Sequence, residues 1–268
     1  MLQSCDIINP PEKVPAYVKI DSVIISDAIR SMGIVDVWIN IDGNAAGVFE
    51  IPAFFPLIAE TGEEIQIRAG IKSNGMVEDR IIYPFYTMHV ESPEFIEGET
   101  VSITPVFDYF EETVIYGQDF EGFGDLSHFY LEATSSSDTS LIITAQNAIY
   151  GGKCGAIFLE GDVKKYFGRF SADFNLEKNG SPVFMEIDYK CNNDFNVGLY
   201  ANHTVVTNQI SVMTIFKSEK WNKIYIEMTG ILQSNQNANS FGFFIEANKS
   251  YEVEKAEIYL DNIKLIKF

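Results

Sequence analysis

The chain has 268 residues, of which 46% are hydrophobic and 13% aromatic, and its formal net charge is −19. This length and apolar content suffice for two folded domains and exclude a disordered chain. Nucleic acid is excluded as an expected partner, because phosphate binding needs clustered Lys and Arg and the sequence has no such cluster.

The first motif in chain order is Leu2-Gln3-Ser4-Cys5, which is followed by a stretch rich in proline. This order resembles the lipid-attachment motif of bacterial lipoproteins, in which the cysteine carries the lipid. Prolines favour an extended, semi-rigid tether. We therefore expect residues 1–15 to hold a lipidated Cys5 and a tether. An ordinary amino terminus that contains a cysteine is the alternative.

Lipidation of Cys5 implies a location and a mode of membrane contact. No run of about 18 apolar residues is present, so no membrane-spanning helix is expected in this sequence. The lipid would then be the sole contact with a membrane. We expect a lipid-anchored protein of a bacterial cell envelope, at the outer membrane or the cell surface.

Short strands with alternating polarity fill residues 16–107. In VDVWINIDGN the apolar side chains alternate up to Ile41, and Asp42-Gly43-Asn44 is a hairpin turn signal. The following PAFFPLI contains two prolines, which restrict it to the edge of a sheet or to a crossing. About seven such strands predict an Ig-like β-sandwich over residues 16–107.

An acidic stretch follows this predicted sandwich. From Glu91 to Asp125 the chain contains many carboxylates and no Lys or Arg. Residues 108–118 lack a clear strand period, so we interpret them as an acidic, solvated linker. A cation-binding surface is the alternative interpretation.

Residues 119–268 form a second strand-rich block that resembles a known family. Its phrases, in order, are QDFEGFG, PVFMEIDYK, FNVGLYA, WNKIYIEM, FGFFIEA and AEIYLDNIKLIKF. This order resembles the galactose-binding-like jelly rolls found among carbohydrate-binding modules. Together with the cysteine motif, the two-domain order resembles surface lipoproteins of the Bacteroidota. The resemblance implies a jelly roll and a carbohydrate ligand.

The last strand changes phase near its middle. Ile258 and Leu260 share one parity, whereas Ile263 and Leu265 share the other, which predicts a β-bulge at Asp261. In the resembling modules a structural Ca²⁺ lies where the first and last strands meet. The resemblance thus implies a Ca²⁺ site, for which the matching residues are Asp119, Glu121 and Asp261. The alternative is that Asp261 accepts backbone hydrogen bonds in the bulge.

Strand alternation in this block also predicts outward-facing aromatic residues. We expect Trp221, Tyr225 and Tyr200 to form a platform for a sugar ring on one face of the jelly roll. We also assign Phe244, Glu186 and Asp188 to the carbohydrate site, because alternation turns them outward in the same block, and either carboxylate would accept hydrogen bonds from sugar hydroxyls. The negative net charge favours a neutral polysaccharide or glycan. The alternative is that the aromatic residues pack under a loop or against the first domain.

No catalytic motif is present. The histidines, His89, His128 and His203, lie far apart and lack metal-ligand spacing. HExxH, GxSxG and a glycine-rich phosphate loop are all missing from the sequence. We therefore expect a non-catalytic protein that binds carbohydrate. The alternative is a structural or assembly protein whose partner is another envelope protein.

Two further cysteines lie in the second block, Cys154 and Cys191. Cys191 ends an alternating apolar row, which is typical of a small buried hydrophobe. Pairing of the two thiols in an oxidising compartment stays open at this point.

Overall fold

The computed structural model describes residues 12–25, 33–60, 62–121, 128–149 and 152–268. These residues form an all-β protein with one short helix, which confirms the predicted fold class. The chain divides into two compact units. Cys5 lies outside the described residues, so its lipidation stays a prediction. No described helix is long and apolar enough to cross a membrane.

The first unit is an Ig-like β-sandwich made of the described residues up to Lys72 together with Arg80–Glu111. Its strands form sheets of order β5-β1-β9, β10-β2 and β4-β3-β6-β7, with β8 also paired to β6. The bounds are β1 (Ala16–Ile20), β2 (Ile24–Ile25), β3 (Ile34–Ile41), β4 (Asn44–Glu50), β5 (Ala53–Leu57), β6 (Ile65–Lys72), β7 (Arg80–Ile82), β8 (His89–Glu91), β9 (Thr100–Ser102) and β10 (Val106–Phe107).

Two local predictions for this unit are confirmed. Strands β3 and β4 are joined by Asp42 and Gly43, whose φ angles of 45° and 80° are both positive, as a tight two-residue hairpin turn requires. The proline-containing strand β5 lies at the edge of its sheet. An edge position tolerates Pro56 because its missing N–H is not needed for a second ladder.

The second unit is a jelly roll of two sheets made of Ser73–Asp79 and Glu112–Phe268. One sheet has the order β13-β14-β21-β16-β19, with β11 also paired to β21, and the other has the order β12-β15-β20-β17-β18. The bounds are β11 (Val114–Gln118), β12 (Leu131–Ala133), β13 (Ile142–Thr144), β14 (Cys154–Glu160), β15 (Lys165–Phe170), β16 (Val183–Cys191), β17 (Phe195–Asn202), β18 (Thr207–Ile215), β19 (Ser218–Glu227), α1 (Thr229–Gln233), β20 (Ser240–Asn248) and β21 (Lys255–Lys267).

Both sheets of the jelly roll contribute to one apolar core. Alternate residues of each long strand point into this core, as Leu199 of β17, Phe243 of β20 and Ile187 of β16 do. The residues between them therefore lie on the outer faces of the two sheets. Strand β11 lies within the stretch that the sequence suggests as a linker, and it pairs with β21.

The predicted bulge in the last strand is confirmed. On β21, Asn262 and Ile263 lie opposite the single residue Ile187 of β16. Asn262 has a φ of 45°, which is the left-handed conformation that a bulge residue often adopts. The bulge returns Ile263 to the core side and explains the change of phase in the sequence.

Residues 73–79 contact the edge strand β19 of the six-stranded sheet. The backbone N–H of Asn74 donates to the carbonyl of Tyr225 over 2.8 Å. The N–H of Glu227 donates to Oδ1 of Asn74 over 3.0 Å. This short segment thus satisfies backbone groups that an edge strand otherwise leaves to solvent.

The two cysteines of the jelly roll are free and buried. Cys191 is 2% exposed and packs in the apolar core, as expected for a small hydrophobe. Cys154 lies on the other side of the six-stranded sheet, next to Ala156 and Tyr259. The open question of a disulfide is therefore answered in favour of two thiols.

Candidate functional site

An aromatic cluster lies on the outer face of the five-stranded sheet. Tyr200 on β17 and Phe244 on β20 belong to it, and both come from the predicted set. Their chain neighbours point into the core, so these two side chains point away from it. Phe167 on β15 completes the cluster. We call the outer surface formed by Phe167, Arg169, Tyr200, Phe244 and Glu246 the Tyr200 face.

The rings of the Tyr200 face are in mutual contact. The centroids of Phe167 and Phe244 lie 5.2 Å apart with the rings nearly parallel, at 17°. The centroids of Tyr200 and Phe244 lie 5.1 Å apart. Phe244 is buried beneath its neighbours, whereas Tyr200 is half-buried. Ring contacts of this kind hold the aromatic side chains in fixed orientations.

Glycines on neighbouring strands make room for this arrangement. Gly198 pairs with Phe244 across the β17–β20 ladder, and a Cβ at Gly198 would overlap the Phe244 ring. Gly242 likewise pairs with Tyr200, and a Cβ there would press on Oδ1 of Asp173 and on Arg169. The two glycines therefore form the floor over which larger side chains lie.

Two cations lie over the rings. The guanidinium carbon of Arg169 is 4.9 Å from the Tyr200 centroid, and Nζ of Lys165 is 5.1 Å from the Phe167 centroid. Both distances are within the range of a cation–π interaction. Arg169 also donates to Oδ1 of Asp173 over 2.8 Å. The salt bridge and the ring together orient the guanidinium.

Two cavities lie along the Tyr200 face and meet at Thr134. One has a volume of about 280 Å³. Its lining includes the rings of Phe167 and Tyr200 and the polar side chains of Gln209 and Glu246. The other has a volume of about 360 Å³ and is lined by Arg169, Asp173 and their neighbours. The two cavities are thus neighbours on this face, and we call them together the groove; both offer hydrogen-bonding groups.

The chemistry of the groove suits a ligand that has both an apolar face and hydroxyl groups. Burial raises the pKa of Tyr200, so its hydroxyl stays protonated and is able to donate as well as accept. The Glu246 carboxylate accepts a hydrogen bond from Nδ2 of Asn196 over 3.3 Å and retains further acceptor capacity. A ring ligand would stack on aromatic surface while these groups bind its hydroxyls.

The predicted platform of Trp221, Tyr225 and Tyr200 on one face is wrong. Trp221 and Tyr225 lie on β19 of the six-stranded sheet, whereas Tyr200 lies on the other sheet. Tyr225 is 1% exposed. Trp221 is half-buried, and its Nε1 donates to the carbonyl of Asn147 over 2.8 Å. Strand alternation predicts which side chains of a strand point away from the core, but it does not predict which of the two sheets the strand joins.

The two carboxylates predicted to bind sugar are also on the six-stranded sheet. Glu186 and Asp188 are 0% and 2% exposed. Nζ of Lys223 lies 2.8 Å from Oε2 of Glu186 and 3.4 Å from Oδ1 of Asp188. Burial alone would lower the pKa of Lys223, but these two carboxylates raise it, so the lysine is charged. The three residues form a buried ionic cluster, and the prediction that Glu186 or Asp188 accepts hydrogen bonds from a sugar on the platform of Trp221, Tyr225 and Tyr200 is wrong.

The three residues predicted to bind calcium each accept a backbone hydrogen bond. Oδ1 of Asp261 accepts from Asn262 over 2.8 Å, which is the alternative weighed for the bulge. Oε1 of Glu121 accepts from Lys153 over 2.9 Å, and Oδ1 of Asp119 accepts from Glu121 over 3.2 Å. Within the described ranges, no group of three or more His, Cys, Asp or Glu is arranged to hold a metal ion. As placed here, these carboxylates do not form a calcium cage.

The carboxylate of Asp261 is nevertheless unusual. Burial, together with the nearby carboxylates of Asp188, Glu121 and Asp119, raises the pKa of Asp261 to about 7 in spite of its backbone hydrogen bond. Asp261 is 4% exposed, so solvent does little to relieve this repulsion.

The sequence analysis did not identify Phe167, Arg169 and Glu246 of the Tyr200 face, nor Lys165 beside it. Three of them, Lys165, Phe167 and Arg169, come from KYFGRF, where an aromatic ring alternates with two cations on one side of strand β15. This alternation in the sequence is enough to predict a ring flanked by cations on one side of the strand. The sequence does not predict the pairing of Gly198 with Phe244, because that pairing depends on the register between strands that are distant in sequence.

Comparisons with known proteins give structural likenesses only. No family model and no curated protein matches the chain. A xylan-binding domain from carbohydrate-binding module family 22 aligns with a TM-score of 0.41 and 12% identity, over 59% of this chain and 97% of that one. The family 30 module of a cellulosomal cellulase of Clostridium thermocellum aligns with a TM-score of 0.39 and 12% identity, over 56% and 91%.

A family 61 module solved with β-1,4-galactotriose shows a similar degree of likeness. It aligns with a TM-score of 0.35 and 9% identity, over 56% of this chain and 99% of that one. All three likenesses are too distant to transfer a ligand or a binding residue to this chain.

Proposed function

We propose that the protein binds carbohydrate, without catalysis, through the Tyr200 face. The observation that carries this proposal is a cavity lined by the rings of Phe167 and Tyr200 and otherwise by polar groups, with the buried ring of Phe244 packed against both from below. A sugar ring has an apolar face of C–H groups and an equatorial rim of hydroxyls. The groove offers a partner to both, since binding sites combine apolar surface with a few placed polar groups.

The charges of the groove favour a neutral sugar. Arg169 is paired with Asp173, and Lys165 lies in the same cavity as Glu246. The groove therefore has no excess of positive charge to attract an acidic sugar. The net charge of −19 opposes an acidic polysaccharide at longer range as well. A neutral polysaccharide is the ligand class that meets both conditions.

The length of the groove favours a chain over a single ring. Its two cavities, of about 280 and 360 Å³, share Thr134, and the Arg169–Asp173 pair lines the larger one. A ligand that occupies both must extend along the sheet. We infer that the site takes several consecutive sugar units of a polysaccharide.

Affinity electrophoresis and titration calorimetry of the full chain test this function. The probes are soluble xylan, galactomannan, hydroxyethyl cellulose and β-1,4-galactan. At least one should bind, Tyr200→Ala should lose at least about tenfold in affinity, and Tyr200→Phe should retain most of it because the ring stays. Phe54→Ala, which removes a 63% exposed ring from the first unit, is the matched control.

Two results would contradict the proposal. One is that none of the four polysaccharides binds the wild-type chain. The other is that Tyr200→Ala binds as well as Phe54→Ala. An assay of reducing ends after long incubation tests the non-catalytic part, for which we expect no increase over the polysaccharide alone.

We also propose that Cys5 carries a lipid and anchors the protein in a bacterial cell envelope, at the outer membrane or cell surface. The support is the motif Leu2-Gln3-Ser4-Cys5 and the prolines after it. In the native host, Cys5→Ala should move the protein from the membrane fraction to the soluble fraction. A wild-type protein that is already soluble in that host would contradict the anchor.

A further inference from the structure

One end of the jelly roll carries two strongly exposed aromatic side chains. Tyr251 is 96% exposed in the loop between β20 and β21, and Phe216 is 70% exposed in the turn between β18 and β19. Neither residue belongs to the Tyr200 face. A single exposed ring is ordinary on a protein surface, so the case for a site rests on the polar cavity beside these two loops.

The loops that carry these rings are joined by hydrogen bonds around Asn193, which is 2% exposed. Nδ2 of Asn193 donates to the carbonyls of Asp194 and Asn248, over 2.7 and 3.1 Å, and its Oδ1 accepts from the N–H of Ser250 over 2.7 Å. Asn193 therefore connects the β16–β17 turn to the β20–β21 loop.

The β18–β19 turn is held in the same way. Oδ1 of Asp194 accepts from the backbone N–H of Lys217 over 2.8 Å. Nζ of Lys217 also lies 3.6 Å from Oε2 of Glu252. The three connections thus form one preorganised surface, and less conformational entropy is lost when a ligand binds to it.

A cavity of about 220 Å³ lies between these three connections. Its lining includes Asn193, Asp194, Lys217, Ser250 and Glu252, which offer amide, carboxylate, ammonium and hydroxyl groups. Phe216 and Tyr251 each immediately precede a lining residue, namely Lys217 and Glu252. The volume is below the range of about 300–1,000 Å³ that drug-sized ligands occupy, so it suits one small ring.

The salt bridge at this cavity is a weak one. The side chains of Lys217 and Glu252 are 64% and 61% exposed, and ion pairs in water contribute little. Both groups are therefore free to exchange this contact for ligand hydroxyls. The carboxylates of Asp194 and Glu252 outnumber the single ammonium of Lys217, which disfavours an anionic ligand.

We propose that this end of the jelly roll is a second binding site, which takes a single neutral sugar unit in the cavity of about 220 Å³, with Phe216 and Tyr251 at chain positions next to its lining. The polar lining of the cavity would bind the hydroxyls, and the exposed rings would cover the apolar face of the sugar. This site lies on loops, whereas the Tyr200 face lies on strands. The proposal of a second site therefore does not depend on polysaccharide binding at the Tyr200 face.

Saturation-transfer NMR on the full chain tests the second site, because the method detects weak binding of small ligands. The probes are the methyl β-glycosides of glucose, galactose, mannose and xylose. At least one should receive saturation from the wild type and equally from Tyr200→Ala. The double variant Phe216→Ala/Tyr251→Ala should bind it about tenfold more weakly. Because both rings are exposed, the double variant should fold normally, and Phe54→Ala serves as the control.

Three outcomes would overturn the second site. The first is that none of the four glycosides receives saturation from the wild type. The second is that the double variant binds as well as the wild type. The third is that Tyr200→Ala abolishes the saturation-transfer signal. The last outcome assigns the single sugar to the Tyr200 face instead. Failure of the proposed polysaccharide binding has a different signature, since it is measured on polysaccharides and on Tyr200→Ala.

Discussion

The ring of Phe244 lies over Gly198 of the neighbouring strand, in the position that any larger residue at 198 would fill. Phe244 in turn contacts Tyr200 and Phe167. One glycine therefore determines where the three aromatic side chains of the Tyr200 face can lie. Aromatic residues that cover a cross-strand glycine are a known device for fixing register in sheets.

Gly198→Ala should displace the Phe244 ring and lower both stability and polysaccharide affinity. We expect a loss of about 1–3 kcal/mol in the free energy of unfolding, as for other overpacked sites. Urea denaturation measures it. Gly230→Ala is the control, because a Cβ there meets nothing within 4 Å and alanine favours the short helix. Equal stability of the two variants would show that Phe244 is not held over Gly198.

Lys223→Met should be strongly destabilising. It removes the cation from between the buried carboxylates Glu186 and Asp188. Breaking a buried ionic cluster in this way costs about 3–5 kcal/mol. The triple variant Lys223→Met/Glu186→Gln/Asp188→Asn also removes the two carboxylates and should recover part of the loss, since Lys264, which these carboxylates also attract, then loses their support. Chemical denaturation at pH 7 gives both values.

The matched control for Lys223 is Lys19→Met, which breaks the exposed pair with Asp21. That pair should be worth less than about 1 kcal/mol. If Lys223→Met is no more destabilising than Lys19→Met, the ionic cluster is not a structural element of the jelly roll.

Asp261 should make the protein less stable as the pH rises. Its folded-state pKa of about 7 exceeds the ordinary value of 3.8, so the folded chain binds this proton more tightly than the unfolded chain does. The resulting contribution is fully present below about pH 4 and is lost as the pH rises to about 7. The difference between the two pKa values corresponds to at most about 4 kcal/mol.

Asp261→Asn should therefore stabilise the protein at pH 8 and have little effect at pH 4. The amide oxygen of Asn preserves the acceptor for the N–H of Asn262. Unfolding curves at both pH values give the comparison, and Asp21→Asn, at an exposed position, corrects for general charge effects. A variant that is equally destabilised at pH 4 and pH 8 would contradict the raised pKa.

The predicted calcium ion can be tested with the same variant. A Ca²⁺ ion held by Asp119, Glu121 and Asp261 would bind only the folded chain and would raise the melting temperature by linkage. The rise should disappear in Asp261→Asn and after addition of a chelator. Melting curves that do not change with millimolar CaCl₂ leave Asp261 with its backbone hydrogen bond alone.

The thiols of Cys154 and Cys191 should be inert in the native protein. Burial raises the pKa of both thiols, that of Cys154 to about 11, and the thiolate is the reactive form. A Cys5→Ser variant should therefore show no reaction with a thiol reagent until it is unfolded, when two thiols should react. Rapid labelling of the native variant would contradict the burial of these residues, and a single thiol or none after unfolding without reductant would indicate oxidation.

Local patterns in the sequence predict much of the fold. The hairpin at Asp42-Gly43, the edge strand with Pro56 and the bulge at Asp261 each depend on residues within a few positions of one another. Alternation also assigns Tyr200 and Phe244 to an outer face. Such signals are readable because strand period and turn conformation are set by neighbouring residues.

The candidate site depends on information of another kind. Trp221 and Tyr200 have equally clear outward positions, yet they lie on different sheets. The order of strands in a sheet determines which outward-facing residues are neighbours. The segments that pack on the outer face determine whether those residues are exposed to solvent. Glu186 illustrates the second point, because its outward position in β16 ends in a fully buried contact with Lys223. Neither property is encoded within a single strand.

The pairing of Asn74 with strand β19 bears on how the gene can be divided. The jelly roll is assembled from two separate pieces of the chain, since residues 73–79 belong to it although they lie well before Glu112. A fragment that starts after the first unit would lack the segment that covers Tyr225 and Glu227. The jelly roll is therefore not a unit that a single cut can separate, because a continuous piece of the chain that holds all of it also holds Arg80–Glu111 of the first unit.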